Sequence, residues 1–371
     1  MSGKGVHTPW ESEECFPAKP AGQDYGYVEK GKLVGCTLEQ LIDKCGGLES
    51  EVDLVWHPNA PRLVPVRTAG FLIEALRKHE RATVEHNSKI AWINVVVFCI
   101  FCLGAHQHRG YFELAVLFAI FTGVVPLVQA RRELRELDKP DWTPAIDANF
   151  ERYTAWIETR SMVMTWIFLA IIGMVGGSQL LAKGDSIQRA GLVKAATLHG
   201  QWWRFFTGTL LHGNLIHFLF NASALWGLGR LTEALAGRFR FAFVFVLSMM
   251  GGSLFSLCLT KATSVGISGG LLGLIGFLIV LGMRRRQFLP QDFTRIFLMN
   301  VALLVVMGII ARSIIDNSAH MGGFVFGLLT GVFMVHREGT LPLPPSRAIN
   351  IAGVISIAVV IFFAFLAANR M

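Results

Sequence analysis

Nine apolar runs, most of them close to twenty residues long, recur through this 371-residue chain. A bilayer core about 30 Å thick asks for roughly 20 mostly apolar residues per helical crossing. The runs lie at roughly 89–105, 110–130, 164–182, 214–236, 239–259, 265–283, 296–312, 317–335 and 348–369. Only 16% of the residues are charged and the mean hydropathy is +0.49, whereas a soluble domain carries about a quarter charged residues. Lipid offers no hydrogen bonds to a bare backbone, so spanning segments of this length must be helices. The expected class is an all-α polytopic membrane protein.

The first run starts near residue 90, and the polar stretch before it lacks the basic-then-apolar pattern of a signal peptide. Residues 1–88 are therefore expected to stay on the side where they are made, as a small region of unknown role. The net charge of +8 could suggest nucleic acid, but in a polytopic chain basic residues mark cytoplasmic loops, and no nucleic-acid partner is expected. The first two runs form a hairpin, 89–130. A polar linker, 131–163, follows with Arg131, Arg132, Arg135, Lys139, Arg152 and Arg160. Placing it inside also places inside Arg238, Arg240, Arg284, Arg285, Arg286, Arg295, Arg337 and Arg347. Arg109, Lys183, Arg189, Lys194, Arg204, Lys261 and Arg312 then lie outside, fourteen basic residues against seven. The amino terminus is expected in the cytoplasm, and the chain in a bacterial inner membrane.

Within 1–88, Thr37 and Gln40 have capping-box spacing before a short helix at 38–45, 53–57 could be a strand, and about 68–85 has helical character. Cys15, Cys36, Cys45 and His57 match no metal-ligand spacing. Cys99 and Cys102 form a CxxC inside an apolar run, where two small buried hydrophobes are expected rather than a redox pair. No metal, disulfide or cofactor is expected.

Polar groups inside apolar runs are costly enough to suggest function. With the inside and outside assigned, the runs beginning at Val265 and Asn317 both enter from the outer face. Ser268 and His320 each lie three residues further on. At about 1.5 Å per residue, both sit at one shallow depth and can meet. Ser268 stands among glycines, Gly266 and Gly269, at a helix start whose free N–H groups form a donor-rich positive end. Such an end suits a developing oxyanion. Gly269 and Gly273 face the four-residue repeat Gly323, Gly327, Gly331, a small-residue pattern that permits close helix approach. That approach could bring Ser268 within hydrogen-bond reach of a general base. His217 and Asn221, at i and i+4, share one helix face and could both donate to an oxyanion. Each group alone has a plainer reading as a packing residue or a hydrogen-bonded pair.

Together these stretches resemble the rhomboid family. Trp203-Arg204 with His212, His217 and Asn221 resembles its WR element and HxxxxHxxxN pattern. Gly266-Ile267-Ser268-Gly269 with Gly273 and Gly276 resembles its GxSGxxxGxxG helix, and Ala319-His320-Met321-Gly322-Gly323 with Gly327 its AHxGGxxxG helix. The resemblance covers roughly 164–335 and implies a six-helix protease core. It implies Ser268 as nucleophile, His320 as base, and His217, Asn221 and the Ser268 N–H as oxyanion donors. Gly266, Gly269, His212, Trp203 and Arg204 are implied as supporting residues, the last three in a long first loop, 183–213. No acidic third member is implied, although Asp316 lies four residues before His320. The helix at 348–369 and the amino-terminal hairpin are additions to that core. The implied activity is cleavage of other proteins' transmembrane segments within the bilayer, near the outer face. Rival readings are an inactive relative that binds or extracts membrane helices, and a transporter or channel.

Overall fold

The computed structural model describes residues 8–16, 22–60, 62–105, 107, 109–145, 148–182 and 185–371. Of the loop residues used in the charge count, Lys183 lies outside them. The chain divides into two compact units, Met1–Thr159 with Val305–Ile314, and Arg160–Leu304 with Ile315–Met371.

The first unit contains a sheet that composition gave no reason to expect. Strands β1 (Tyr25–Glu29) and β2 (Lys32–Cys36) form a hairpin whose two turn residues, Lys30 (φ 49°) and Gly31 (φ 73°), both adopt positive φ. That is the demand of the tight turn matching strand twist. Helix α1 (Leu38–Gly46) starts at Thr37, whose hydroxyl accepts from the Gln40 N–H while Gln40 Oε1 accepts from the Thr37 N–H. Strands β3 (Leu54–Trp56) and β4 (Val64–Pro65) complete the order β2-β1-β3-β4. Leu41, Cys45, Val55, Val66 and Leu72 form a core over the sheet, joined by Ala75 and Leu76 from the first turn of helix α2 (Ile73–Ala105).

At 33 residues α2 runs about 50 Å, so it leaves this core and continues as an apolar span. Its Cys99 is exposed and Cys102 half-buried, which corrects the expectation of two buried thiols: on an outward face of a span, lipid rather than protein surrounds them. The hairpin returns through α3 (Arg109–Phe118), a π-helical turn at Ala119–Val124, and α4 (Val125–Leu137). Pro126 has no N–H to give the Thr122 carbonyl four residues before it. Asn94 Nδ2 supplies the missing donor at 3.1 Å, which is how a proline is tolerated inside a span. The stretch expected as a plain linker carries the last turns of α4 and helix α5 (Ala148–Glu158). Trp10 packs on Tyr153 and Trp156 of α5, with ring centroids 5.2 Å apart in both pairs.

The second unit begins with α6 (Val163–Leu181) and continues through short helices α7 (Ser186–Ala190), α8 (Lys194–Leu198) and α9 (Arg204–Thr207). Then come α10 (Leu215–Ala236), α11 (Arg238–Leu259), α12 (Ser268–Arg284), α13 (Phe293–Ile310, assigned to this unit up to Leu304), α14 (Asn317–Met334) and α15 (Arg347–Arg370). Six helices of the described residues are long and apolar enough to cross a membrane: Gly70–Gly104, Ala115–Leu137, Val163–Leu181, Arg238–Leu259, Phe293–Ile310 and Arg347–Arg370. The protein is a multi-pass, mostly helical integral membrane protein. Helix α12 has 17 residues and is buried from Gly269 to Gly282, so it need not meet lipid at all.

Two devices hold this unit. Helices α12 and α14 touch backbone to backbone: a methyl on Gly323 would collide with the Gly269 carbonyl, and one on Gly327 with that of Gly273. On α10, the buried Glu233 carboxylate accepts from Met164 N, Thr165 N and Thr165 Oγ1, each at 2.9 Å. It thereby caps the start of α6, where free N–H groups and the helix dipole favour an anion.

Candidate active site

Helix α12 begins at Ser268 itself, three residues later than the apolar run, and His320 lies in the first turn of α14. Their side chains meet: Ser268 Oγ is 2.9 Å from His320 Nε2, hydrogen-bond distance for a nucleophile and base. Both residues are half-buried. The glycine contacts between α12 and α14 set this separation, because a side chain at Gly323 would push the two helix starts apart.

The approach to Ser268 is fixed from the loop side. Arg204, buried, donates from Nη1 to the carbonyls of Gln188 (2.9 Å) and Gly191 (3.0 Å) and from Nε to Gln201 Oε1, and its guanidinium lies over the Trp203 ring. Trp203 and Arg204 thus shape the loop rather than reach the serine. The ordered loop pairs with the segment entering α12 through Leu192 N to Ser264 O (3.0 Å), its reciprocal bond (3.3 Å), and Gly266 N to Gly208 O (3.1 Å). Gly266 has φ 116°, open to glycine and rare for other residues. A methyl there would also lie 2.8 Å from His217 Cε1 and 3.5 Å from Asn221 Nδ2. Glycine at 266 therefore serves both the bend and the close approach of His217 and Asn221.

Helix α10 brings those two side chains to the same place. Its first turn is capped by Asn214 Oδ1, which accepts from the His217 N–H at 2.8 Å. The Gly213 N–H lies 3.3 Å from His217 Nδ1. An Nδ1 that accepts leaves the proton on Nε2, so this hydrogen bond assigns His217 as a donor toward Gly266. Asn221 is buried and its Nδ2 has no hydrogen-bond partner among the described residues. A buried donor left idle beside Gly266 can receive an oxygen that becomes negatively charged. His212, also buried, packs edge-on against His217 at 5.3 Å and Phe218 at 5.2 Å.

Residues to which sequence analysis assigned no part in the site complete the frame. Gln179 of α6 holds the His212 backbone twice, accepting from its N–H (2.9 Å) and donating to its carbonyl (3.1 Å). Asp316 does not hydrogen-bond to the His320 ring. It caps α14 by accepting from Ala319 N at 3.0 Å, and it also accepts from the Ser256 hydroxyl. Ser256 in turn accepts from Lys194 Nζ at 2.6 Å. Lys194, counted above as an outer-loop charge, is only 6% exposed. Burial pulls its ammonium down to about 8, against the opposing pull of the Asp316 carboxylate.

Residues 199–337 match the family described as the rhomboid domain. The chain is 32% identical over 131 residues to Rhomboid protease GluP of Bacillus subtilis (strain 168), covering 34% of this chain and 25% of that protein. It is 34% identical over 146 residues to RHOMBOID-like protein 5 of Arabidopsis thaliana, covering 37% of this chain and 46% of the relative. With Rhomboid protease AarA of Providencia stuartii it shares 28% identity over 199 residues, 47% of this chain and 71% of that protein. The aligned stretch thus spans between a quarter and less than half of the first two relatives. The matched domain, residues 199–337, contains Ser268, His320, His217 and Asn221, and over it the chain is similar to the rhomboid family.

Proposed function

We propose that the chain is an intramembrane serine endopeptidase that cuts transmembrane segments of other membrane proteins near the outer face of the bilayer. The observation that carries the reading is the 2.9 Å approach of Ser268 Oγ to His320 Nε2. Relatives named as proteases support it at the level of the family. Neutral His320 takes the proton of Ser268 as its oxygen attacks the peptide carbonyl. The carbonyl oxygen, now negative, sits against His217 Nε2–H, Asn221 Nδ2 and the free N–H groups at the start of α12. His320 then returns the proton to the leaving amine, and water hydrolyses the acyl-enzyme by the same route in reverse. The charge asymmetry of the loops supports an amino terminus in the cytoplasm and both helix starts at the outer face.

A helical substrate has its scissile carbonyl hydrogen-bonded internally, so the preferred segments carry helix-breaking or small residues near the outer interface. The reading as an inactive helix-binding relative leaves the Ser268–His320 approach and the idle Asn221 donor without purpose. The test is cleavage of a transmembrane reporter by the purified full chain in liposomes, with the cut bond located by mass spectrometry. A cut within or beside the span that disappears in Ser268→Ala supports the reading. The same cut made by correctly folded Ser268→Ala defeats it.

A further inference from the structure

The lysine, serine and aspartate met above form a continuous hydrogen-bonded chain, buried at Lys194 and Ser256 and half-buried at Asp316. Lys194 Nζ donates to Ser256 Oγ at 2.6 Å, and Ser256 Oγ donates to Asp316 Oδ2. The three residues come from different elements: Lys194 opens α8, Ser256 lies in α11, and Asp316 caps α14. The Ser264 hydroxyl, in the segment entering α12, also bonds to the Asp316 carboxylate. Ser256 is completely buried and both its donor and an acceptor site are in use, so this Ser–Lys pair is not a second nucleophile.

The chain's two ends bear on the two halves of the candidate active site. Two residues before Lys194, Leu192 makes the paired bonds to Ser264 that precede Gly266 and Ser268. At the other end, Asp316 accepts from Ala319 N and its own carbonyl accepts from the His320 N–H at 3.1 Å. A buried ammonium and a half-buried carboxylate hold their positions firmly, because losing one partner leaves the other charge poorly compensated. Catalytic geometry is sensitive to displacements of about 1 Å, even from changes outside the reacting groups.

We propose that Lys194–Ser256–Asp316 is a strut that positions the His320-bearing start of α14 against the segment entering Ser268. It touches no reacting atom; Lys194 and Asp316 are positioning residues. The inference rests on the serine-protease reading, so the experiment begins with the unmodified full chain in detergent micelles and a fluorophosphonate probe. Failure of wild-type Ser268 to react would sink that reading and the strut with it.

With wild-type labelling in hand, Lys194→Met and Asp316→Asn are compared. Asparagine still caps a helix, so Asp316→Asn removes the charge and keeps the cap. Each is expected to lower the maximal labelling rate about ten- to a hundred-fold while leaving the half-saturating probe concentration unchanged. The double variant, with both charges gone, is expected to lose no more than the worse single variant. Single variants that keep the wild-type melting profile and label at the wild-type rate would overturn the strut. So would a double loss equal to the product of the single losses. Should Lys194→Met fail to fold, Ser256→Ala removes only the bridging hydroxyl. A folded Ser256→Ala is expected to lose at least about three-fold in maximal rate, and an unchanged rate in it would overturn the strut.

Discussion

The sheet of the amino-terminal unit and the α11–α12–α14 cluster bury their residues by opposite means. Around the sheet, large side chains such as Leu41, Val55, Trp56 and Leu72 are removed from water, and that transfer is itself the driving force. In lipid, leaving one apolar medium for another gains little, so helix association depends on close packing and hydrogen bonds. The membrane cluster accordingly replaces side chains with glycines, and carbonyls of α12 fill the space against α14. The difference teaches where each region is fragile: the sheet to lost volume, the membrane cluster to added volume.

The largest effect expected from this contrast is at Gly323 and Gly327. Valine at either position has to displace the α12 backbone. Overpacking commonly costs about 1–3 kcal/mol in a soluble core, and a rigid carbonyl neighbour puts these sites at or above that range. Labelling of Ser268 is expected to be lost together with the native melting transition. A Gly323→Val protein that melts normally and reacts normally would erase the contrast.

Next comes Asn221→Ala, which removes a donor without altering the glycine contacts. It is expected to lower the cleavage rate by up to roughly 10²–10³, the range for one oxyanion donor, with an unchanged melting profile. His217→Ala is expected to fall in the same range. A loss of stability instead of rate would show that Asn221 serves packing.

In the amino-terminal sheet, Leu41→Ala is expected to cost about 2–5 kcal/mol of local stability, the usual penalty for emptying a fully buried leucine site. Hydrogen exchange in peptides covering 25–56, followed by mass spectrometry on the full chain, reads this directly. Exchange unchanged from wild type would mean that the side-chain core is not what holds the sheet.

The smallest effect is electrostatic. Burial first, then the Glu158 and Glu151 carboxylates, push the Asp53 carboxyl up to about 7 from a starting value of 3.8. The folded form thus holds a proton that the unfolded chain releases, and stability falls as pH rises from about 4 to about 7. Exchange protection of the Leu54–Trp56 amides is expected to be greater at pH 5 than at pH 8 once corrected for intrinsic exchange rates. Asp53→Asn should remove that slope and stabilise the unit at pH 8 by about 1–3 kcal/mol. A slope that persists in the variant would assign it to another group.

What could be read from the sequence follows the same division. The spans and the α12–α14 contact were legible because apolarity over twenty residues and glycine every fourth residue are strong, local patterns. The Thr37 cap was legible for the same reason. The β1–β2 hairpin was not: its strands are five residues each, and the Lys30-Gly31 turn is a weak signal without the pairing that follows. Helix α5 hid in what read as linker, because the partner that orders it, Trp10, lies 139 residues or more away in sequence. Lys194 and Arg285 looked like topology markers, since a loop cation is usually solvated. In the fold Arg285 is 2% exposed and donates to the carbonyls of His336, Arg337 and Glu338. Long-range partners of this kind leave no spacing to read.

The central claim is that Ser268 is a nucleophile made reactive by His320. It is tested most directly by treating the full chain with a fluorophosphonate and mapping the adduct by mass spectrometry, in wild type and in His320→Ala of confirmed fold. The account predicts a single adduct on Ser268 in wild type and little or none in the histidine variant. An adduct on another residue, or equal labelling of Ser268 without His320, would contradict it.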